Sequence, residues 1–120
     1  MPSLLLVDDS ESNRLVLSSL LEEEGLAVDV AESFGGGKAK LAGADYDLVL
    51  LDQHLGDGLG TDLARLVREG NARTKVLRVS GSGPGESDAG ALGVDAVLTK
   101  GDDFGELLAV VRRLLDEAKP

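Results

Sequence analysis

Short apolar runs alternate with longer amphipathic stretches along the chain, and most of the apolar runs end at a polar residue. A run of roughly four to eight apolar residues is typical of a strand that is buried on both faces of a sheet. Apolar residues three and four positions apart indicate a helix with one buried face. On this basis the sequence predicts strands at 4–7, 26–30, 46–51, 76–79 and 94–98.

Helices are predicted between these strands and after the last one. Ser10 is suited to cap the first helix, and Gly25 can supply the left-handed residue that closes it. The second helix is expected over 33–43 with a frayed or late start, because the glycines at 35–37 each cost about 1 kcal/mol relative to Ala. The remaining helices are a third that ends at Gly70, a short one within 86–92, and a last one that Asp102 caps.

Helical spacing also predicts which side chains face the core. One stripe of the first helix should contain Val16, Leu17, Leu20 and Leu21. The last helix has the clearest stripe, formed by Phe104, Leu107, Leu108, Val111, Leu114 and Leu115. The second strand alternates apolar and polar residues, which is typical of a less buried strand at the edge of a sheet.

The order of these elements predicts the fold class. Strands that alternate with helices, at about two dozen residues per unit, indicate an α/β protein with a doubly wound parallel sheet. An antiparallel meander would need two-residue hairpins, and the sequence shows none. We expect one domain over 1–120, because domains commonly contain roughly 50–250 residues.

Composition and charge exclude several functions. Aromatic residues make up 2 % of the 120 residues, so the core must consist mainly of Leu, Val and Ala. The formal net charge of −10 repels nucleic-acid phosphates and anionic lipids, so we expect no direct nucleic-acid binding and no membrane association. The absence of Cys excludes thiolate metal sites. It also fits a reducing cytoplasm, which is the expected location in the absence of a basic leader or an apolar run of roughly 18 residues.

The predicted strands end at residues that can do chemistry. These residues are Asp8 and Asp9 after the first strand, Asp52 after the third, Ser80 after the fourth and Thr99-Lys100 after the fifth. Parallel strands place their carboxyl ends at one edge of the sheet, and open α/β sheets bind ligands at that edge. Three carboxylates, a hydroxyl and an ammonium group are therefore expected close together.

Such a group of carboxylates needs a positive partner, because like charges at short distance repel one another. Lys100 offers one charge, and a divalent cation would supply two more. Ligation by oxygen alone suits Mg²⁺, which commonly bridges to a phosphoryl group. Asp52 is the central candidate for a phosphoryl acceptor, because its strand is expected between the strands that bear Asp8-Asp9 and Ser80. The alternatives are a solvated turn at Asp8-Asp9, a Ser80 that merely ends its strand, and a Lys100 that only offsets the acidic edge.

Several stretches of the chain match one protein family. They are Val7-Asp8-Asp9-Ser10 with Asn13-Arg14, the run from Tyr46 to Asp52, Gly60, Val79-Ser80-Gly81, and Gly93-Val94-Asp95-Ala96 through Thr99-Lys100. With this set at these spacings, the chain resembles the receiver domain of two-component response regulators over essentially its whole length. The resemblance implies a flavodoxin-like (βα)5 fold with a five-stranded parallel sheet in the order 2-1-3-4-5.

The resemblance also implies a role for each site residue. Asp52 would accept a phosphoryl group from the phosphohistidine of a sensor histidine kinase or phosphotransfer protein. Asp9, Asp52 and the backbone carbonyl of His54 would hold Mg²⁺, with Asp8 acting chiefly through water. Ser80 and Lys100 would contact the phosphoryl oxygens. Phosphorylation of the domain would then change its binding to an output protein or domain.

Four features depart from the family pattern. Gly56 stands where the family usually has Pro, and Gly101 replaces the Pro that usually follows the Lys in a cis peptide. Val97 replaces an aromatic residue or His whose rotamer reports phosphorylation. The segment 81–93, normally the fourth helix, is rich in glycine. These differences favour an intact phosphorylation pocket joined to an altered relay, in which 81–93 could act by a change of order.

Two other functions fit parts of the sequence. A docking module that keeps the receiver fold without phosphorylation would explain Gly56, Val97 and Gly101, although the acidic pocket argues against it. An aspartate-nucleophile phosphatase commonly carries a second Asp two residues after the nucleophile, where this chain has His54. No separate substrate pocket is predicted. We therefore do not expect an enzyme beyond a domain that assists its own phosphorylation.

Overall fold

A computed structural model describes residues 2–52, 55–70, 73–80, 94–99 and 103–118 of the chain. The strands in this part of the chain are β1 (Ser3–Val7), β2 (Ala27–Ala31), β3 (Leu48–Asp52), β4 (Lys75–Ser80) and β5 (Ala96–Thr99). The helices are α1 (Glu11–Glu23), α2 (Phe34–Gly43), α3 (Gly60–Gly70) and α4 (Phe104–Ala118). The short helix predicted within 86–92 lies outside the described residues.

The five strands form one parallel sheet in the order β2-β1-β3-β4-β5. The parallel sheet and the strand order implied by the resemblance are thereby confirmed. The apolar runs Leu4–Val7 in β1 and Leu48–Leu51 in β3 are buried, as expected for interior strands. β2 lies at the edge of the sheet, and its Val30 is 40 % exposed.

An apolar layer covers each face of the sheet. On one face, α2 and α3 pack on the strand residues Leu5, Val7, Val49, Leu51 and Val76. On the other face, α1 and α4 pack on Leu4, Leu6, Leu48, Leu50 and Leu77. Successive residues of a strand point to opposite faces, so both layers draw on the same short runs. The stripe predicted for the last helix is confirmed, with Leu107, Val111, Leu114 and Leu115 buried and Phe104 and Leu108 partly buried.

α1 begins and ends at the residues that the sequence predicts. The Ser10 hydroxyl oxygen accepts a hydrogen bond from the Asn13 backbone N–H at 3.3 Å. At the other end Gly25 has a φ of 89°, in the left-handed region that favours glycine. The N–H groups of Gly25 and Leu26 donate to carbonyls of the last turn, which closes the helix in a Schellman motif.

The buried face of α1 is narrower than predicted. Leu21 is buried, and Leu17 and Leu20 are partly buried. Val16 is 56 % exposed, so its assignment to the core is wrong. Successive helical residues are about 100° apart around the axis, which places Val16 about 140° from Leu21. The helix contacts the sheet along a line too narrow to include both side chains.

The start of α2 also differs from the prediction. The helix begins at Phe34 and includes the glycines at 35–37, so the expected frayed or late start is wrong. The Ser33 hydroxyl oxygen accepts the N–H of the third helical residue at 2.9 Å. The carboxylate of Asp57, in the loop before α3, accepts the N–H groups of the first two residues at 2.8 and 3.0 Å. These acceptors satisfy N–H groups that lack partners within the helix, and so offset the low helix propensity of glycine.

Two strands start later than predicted. β3 begins at Leu48 rather than Tyr46. The carbonyl of Tyr46 accepts a hydrogen bond from the Thr74 hydroxyl at 2.7 Å instead of joining the β1 ladder. The Tyr46 hydroxyl donates to Asp29 at 2.7 Å, and burial together with this bond raises the pKa of Tyr46 to about 12. β5 covers Ala96–Thr99 rather than 94–98.

α4 is capped one residue later than predicted. The helix begins at Phe104, and the Asp103 carboxylate accepts the Glu106 backbone N–H at 2.8 Å. Asp103 is therefore the N-cap, and the assignment of that role to Asp102 is wrong, because the side chain of the residue just before the first turn reaches its third N–H. Among the described helices, none is long and apolar enough to cross a bilayer.

α3 starts in direct contact with the end of β3. A Cβ atom added to Gly60 would lie 2.2 Å from the Asp52 carbonyl oxygen and 2.8 Å from Leu51 Cδ1. The carbonyl belongs to a strand that is paired on both sides and cannot retreat. Only glycine allows α3 to begin this close to Asp52.

Replacing Gly60 with Ala should destabilise the fold by about 1–3 kcal/mol, because the new methyl group would overlap a fixed backbone atom. The measurement is the free energy of unfolding in urea. Gly43→Ala is the matched control: it changes another glycine at a helix end, and its added Cβ meets nothing within 4 Å. That variant should stay within about 0.5 kcal/mol of the wild type. Equal stability of the two variants would contradict the close contact.

The Asp57 carboxyl should titrate below its usual pKa of 3.8, because the N–H groups of Gly35 and Phe34 stabilise the charged form. The contribution of Asp57 to stability is then present above pH 3.8 and is lost as the pH falls through the lower, folded-state pKa. Carboxyl-detected NMR titration of the folded protein measures this midpoint. A midpoint at or above 3.8 would contradict the observed cap.

Candidate functional site

Three aspartates meet at the edge of the sheet where the strands end. Asp8 follows β1, and Asp52 is the last residue of β3. The register pairs Val7 with Leu51, so the residues that follow them, Asp8 and Asp52, lie side by side. Asp8, Asp9 and Asp52 each offer a carboxylate oxygen, and these oxygens all lie within 4.8 Å of one another. The juxtaposition predicted from the strand ends is thus confirmed for these three residues.

The three carboxylates differ in their exposure to water. Asp8 is 4 % exposed and Asp52 is 5 % exposed, whereas Asp9 is exposed. Carboxylates that are this close repel one another, and burial removes the water that would screen them. Such a cluster attracts a cation, and its donor set of carboxylate oxygens is the kind that Mg²⁺ prefers.

Hydrogen bonds from the first turn of α1 hold Asp8 in place. Its carboxylate accepts the Ser10 backbone N–H at 2.9 Å and the Asn13 side-chain amide at 3.5 Å. The Arg14 guanidinium donates to the Asp8 backbone carbonyl at 2.7 Å. The Asp8 N–H in turn donates to the carbonyl of Ala31 in β2. The turn between β1 and α1 is therefore held by the start of α1 on one side and by β2 on the other.

Arg14 is the basic side chain that the described part of the chain places against Asp8. Its side chain is 15 % exposed, and its guanidinium lies 3.8 Å from the Glu32 carboxylate. Glu32 is 78 % exposed, so this ion pair adds little to stability. The position of Arg14 puts a permanent positive charge beside the acidic cluster, which reduces the repulsion among its members.

The ends of β4 and β5 reach the same edge of the sheet. The register pairs Asp52 with Val79, so the Ser80 backbone lies one residue further toward that edge. Ser80 pairs with Thr99, the last residue of β5. The side chain of Ser80 is outside the described part of the structure, and so are the whole residues His54 and Lys100. Their roles in the site remain predictions.

Three residues near the site were given no role from the sequence. Asn13 and Arg14 belong to the stretch that matches the family, and helical side chains point back toward the N-terminus, so their spacing from Asp8 did contain a signal. Asp57 had no such signal, because its partners at Phe34 and Gly35 precede it by 23 and 22 residues. Only the packing of the β3–α3 loop against α2 reveals this contact.

Comparison with known proteins identifies the family. The family model of the response regulator receiver domain matches residues 4–112 of the chain. The transcriptional regulatory protein CusR of Escherichia coli K12 is 37 % identical to the chain over 114 residues. The probable transcriptional regulatory protein SilR of Salmonella typhimurium is 38 % identical over 114 residues. Each alignment covers 93 % of this chain and 50 % of the relative, so the chain spans about half the length of the curated relatives it matches.

Solved structures agree with the family match. Response regulator TrrA from Thermotoga maritima, in complex with Mg²⁺-BeF, has a TM-score of 0.87 and 30 % identity, over 95 % of this chain and 99 % of that chain. A two-component response regulator from Clostridium difficile has a TM-score of 0.92 and 25 % identity, over the full length of both chains. The chain has three aspartates at the carboxyl edge of a parallel sheet of order 2-1-3-4-5, and it matches the family model and these relatives. It therefore belongs to the response regulator receiver domain family of two-component systems.

Proposed function

We propose that Asp52 accepts a phosphoryl group from the phosphohistidine of a sensor histidine kinase or phosphotransfer protein. The observation that carries this proposal is the placement of the Asp52 carboxylate within 4.8 Å of carboxylate oxygens of Asp8 and Asp9. Asp52 is the last residue of an interior strand: it pairs with Val79 of β4, and the preceding Leu51 pairs with Val7 of β1. A rigid, correctly oriented carboxylate is a competent acceptor of a phosphoryl group.

The residues at this site fit a bound Mg²⁺ ion. The donors are carboxylate oxygens, two of them on buried side chains, and the turn that bears Asp8 and Asp9 is already held by hydrogen bonds. Asp9, Asp52 and the backbone carbonyl of His54 would hold the ion, with Asp8 acting chiefly through water. When bound, Mg²⁺ supplies positive charge that offsets the carboxylates and the phosphoryl oxygens. The TrrA structure in complex with Mg²⁺-BeF supports this assignment by similarity.

In the proposed transfer, a carboxylate oxygen of Asp52 attacks phosphorus, and the P–N bond to the donor imidazole breaks. The bonding electron pair goes to the imidazole nitrogen. With a proton on its other ring nitrogen, the donor leaves as neutral imidazole, and the product is an acyl phosphate on Asp52. Ser80 and Lys100 would contact the phosphoryl oxygens from the ends of β4 and β5. Charge-assisted hydrogen bonds of this kind stabilise phosphoryl charge as it develops.

Phosphorylation of Asp52 would change the binding of the domain to an output protein or output domain. The curated relatives are about twice as long as this chain and include transcriptional regulatory proteins, so an attached output domain is one form of this proposal. The strongly acidic domain itself is not expected to contact nucleic acid. The cytoplasmic location expected from the sequence remains a prediction.

One observation favours the alternative of a docking module that works without phosphorylation. Gly56 has a φ of 80°, a conformation that Pro cannot adopt, so the loop after Asp52 differs from one with Pro at this position. A docking module needs the fold but has no need of a metal site. Binding of Mg²⁺ with beryllofluoride therefore separates the two functions.

Incubation with a radiolabelled phosphoryl donor, either acetyl phosphate or a histidine kinase, should label the wild-type protein in the presence of Mg²⁺. Labelling should fall to background in Asp52→Asn, because the amide cannot act as the nucleophile, and on removal of Mg²⁺ with EDTA. Asp45→Asn is the matched control, since it removes an exposed aspartate before the start of β3, at the opposite edge of the sheet. It should keep full labelling.

Mg²⁺ with beryllofluoride should also shift the backbone amide resonances of the residues around Asp8 and Asp52 in the wild type, and not in Asp52→Asn. A wild-type protein that takes no label and shows no such shift would exclude the phosphoacceptor function and leave the docking module.

A further inference from the structure

In its described part, the loop that follows the phosphoryl acceptor contacts the first turn of α2. Asp57 lies five residues after Asp52, and its two carboxylate oxygens accept the N–H groups of Phe34 and Gly35 at 2.8 and 3.0 Å. Next to it, Gly58 packs on the Phe34 ring so closely that an added Cβ would lie 2.7 Å from Phe34 Cγ. Asp57 and Gly58 thus join the loop to α2 by a charged cap and an apolar contact.

The same loop is also tightly held on the side of Asp52. Leu55 is 2 % exposed and belongs to the core between α2, α3 and the sheet. Its N–H donates to the Gly58 carbonyl at 3.1 Å, and its carbonyl accepts the Asp57 N–H at 2.9 Å. Gly60, at the end of the loop, lies against the Asp52 carbonyl oxygen. These hydrogen bonds and the contact of Gly60 with Asp52 thus hold the described part of the loop, from Leu55 onward, close to the end of β3.

Gly56 sets the direction of the loop toward α2. Its φ of 80° lies in the left-handed region, and the hydrogen bond from Asp57 N–H to Leu55 carbonyl spans it. This tight turn aims the Asp57 carboxylate at the helix terminus. Pro, which the family usually has at this position, is restricted to a φ near −65° and cannot form the turn.

The first turn of α2 depends on acceptors outside the helix. Its residues 35–37 are all glycine, which has the lowest helix propensity after Pro. Ser33 caps one of its N–H groups, and Asp57 caps two. The first turn of α2 therefore depends on Asp57 of the β3–α3 loop as well as on Ser33, and the same contacts hold the loop against α2.

We propose that Asp57 is a positioning residue for the metal and phosphoryl site: it fixes the β3–α3 loop against α2, and so couples the geometry around Asp52 to the order of the first turn of α2. This inference rests on the proposed function. Linkage requires the coupling to act in both directions. Occupation of the site should stabilise the first turn of α2, and loss of the Asp57 cap should weaken binding at the site.

The first measurement is the affinity of the full chain for Mg²⁺ in the presence of beryllofluoride, followed by amide NMR. Asp57→Asn should weaken the affinity by about fivefold or more, the lower end of typical coupling between sites. Ser33→Ala removes another cap from the same turn but leaves the contact between Asp57 and α2, so it should weaken the affinity less than Asp57→Asn does. Asp62→Asn is the control for charge, because it removes an exposed carboxylate from the first turn of α3. It should bind within about twofold of the wild type, a difference of well under 1 kcal/mol.

The second measurement is hydrogen exchange at residues 34–37 with and without Mg²⁺ and beryllofluoride. Exchange there should slow on binding in the wild type, and this slowing should be absent in Asp57→Asn. The proposal is overturned if Asp57→Asn binds like the wild type, if Ser33→Ala loses as much affinity as Asp57→Asn, or if binding leaves exchange at 34–37 unchanged. A wild-type protein that binds neither Mg²⁺ nor beryllofluoride would instead refute the proposed function, and the positioning role with it.

Discussion

The close approach of like charges at one edge of the sheet is the constraint on which the site depends. Asp8, Asp9 and Asp52 would separate in a flexible chain, because their carboxylates repel one another at distances under 5 Å. The apolar runs just before them prevent this separation. Leu4–Val7 and Leu48–Leu51 are buried between two layers of helices, so moving the carboxylates apart would expose both interior strands to water. Hydrophobic burial thereby maintains an electrostatically unfavourable cluster, and a bound cation would relieve it.

Neighbouring groups also fix the two buried aspartates of the cluster in position. Asp8 is surrounded by donors: the Ser10 N–H, the Asn13 amide and, on its carbonyl, the Arg14 guanidinium. Asp52 is confined differently, by the approach of Gly60 to its carbonyl oxygen. The hydrogen bonds fix the Asp8 side chain and its turn, and the pairing with Val79 together with the contact of Gly60 fixes the Asp52 backbone.

The fold and the position of the acidic cluster could be predicted because they depend on patterns that are local in sequence. Apolar runs with polar ends define the strands, and the parallel topology then places Asp8, Asp9 and Asp52 at one edge. One error occurred where a distant contact overrides a local preference, and another where a residue was placed on the wrong side of a helix. The glycines at 35–37 form a helical turn because Asp57 caps it from another loop. Val16 has the right residue type for the core but lies on the wrong side of α1.

Local residue order by itself determined the α/β class, the caps at Ser10 and Gly25, and which carboxylates meet. The class and the meeting of the carboxylates follow from the apolar runs and their polar ends. The Ser10 cap follows from a hydroxyl that reaches a nearby N–H group, and the Gly25 cap from a residue that has no Cβ. Tertiary structure alone decided which of the three carboxylates are buried, and that the loop after the acceptor closes on α2 through Asp57. These features depend on contacts between residues that are far apart along the chain. Their energy depends on distances that exist only after the sheet and its two helical layers have packed.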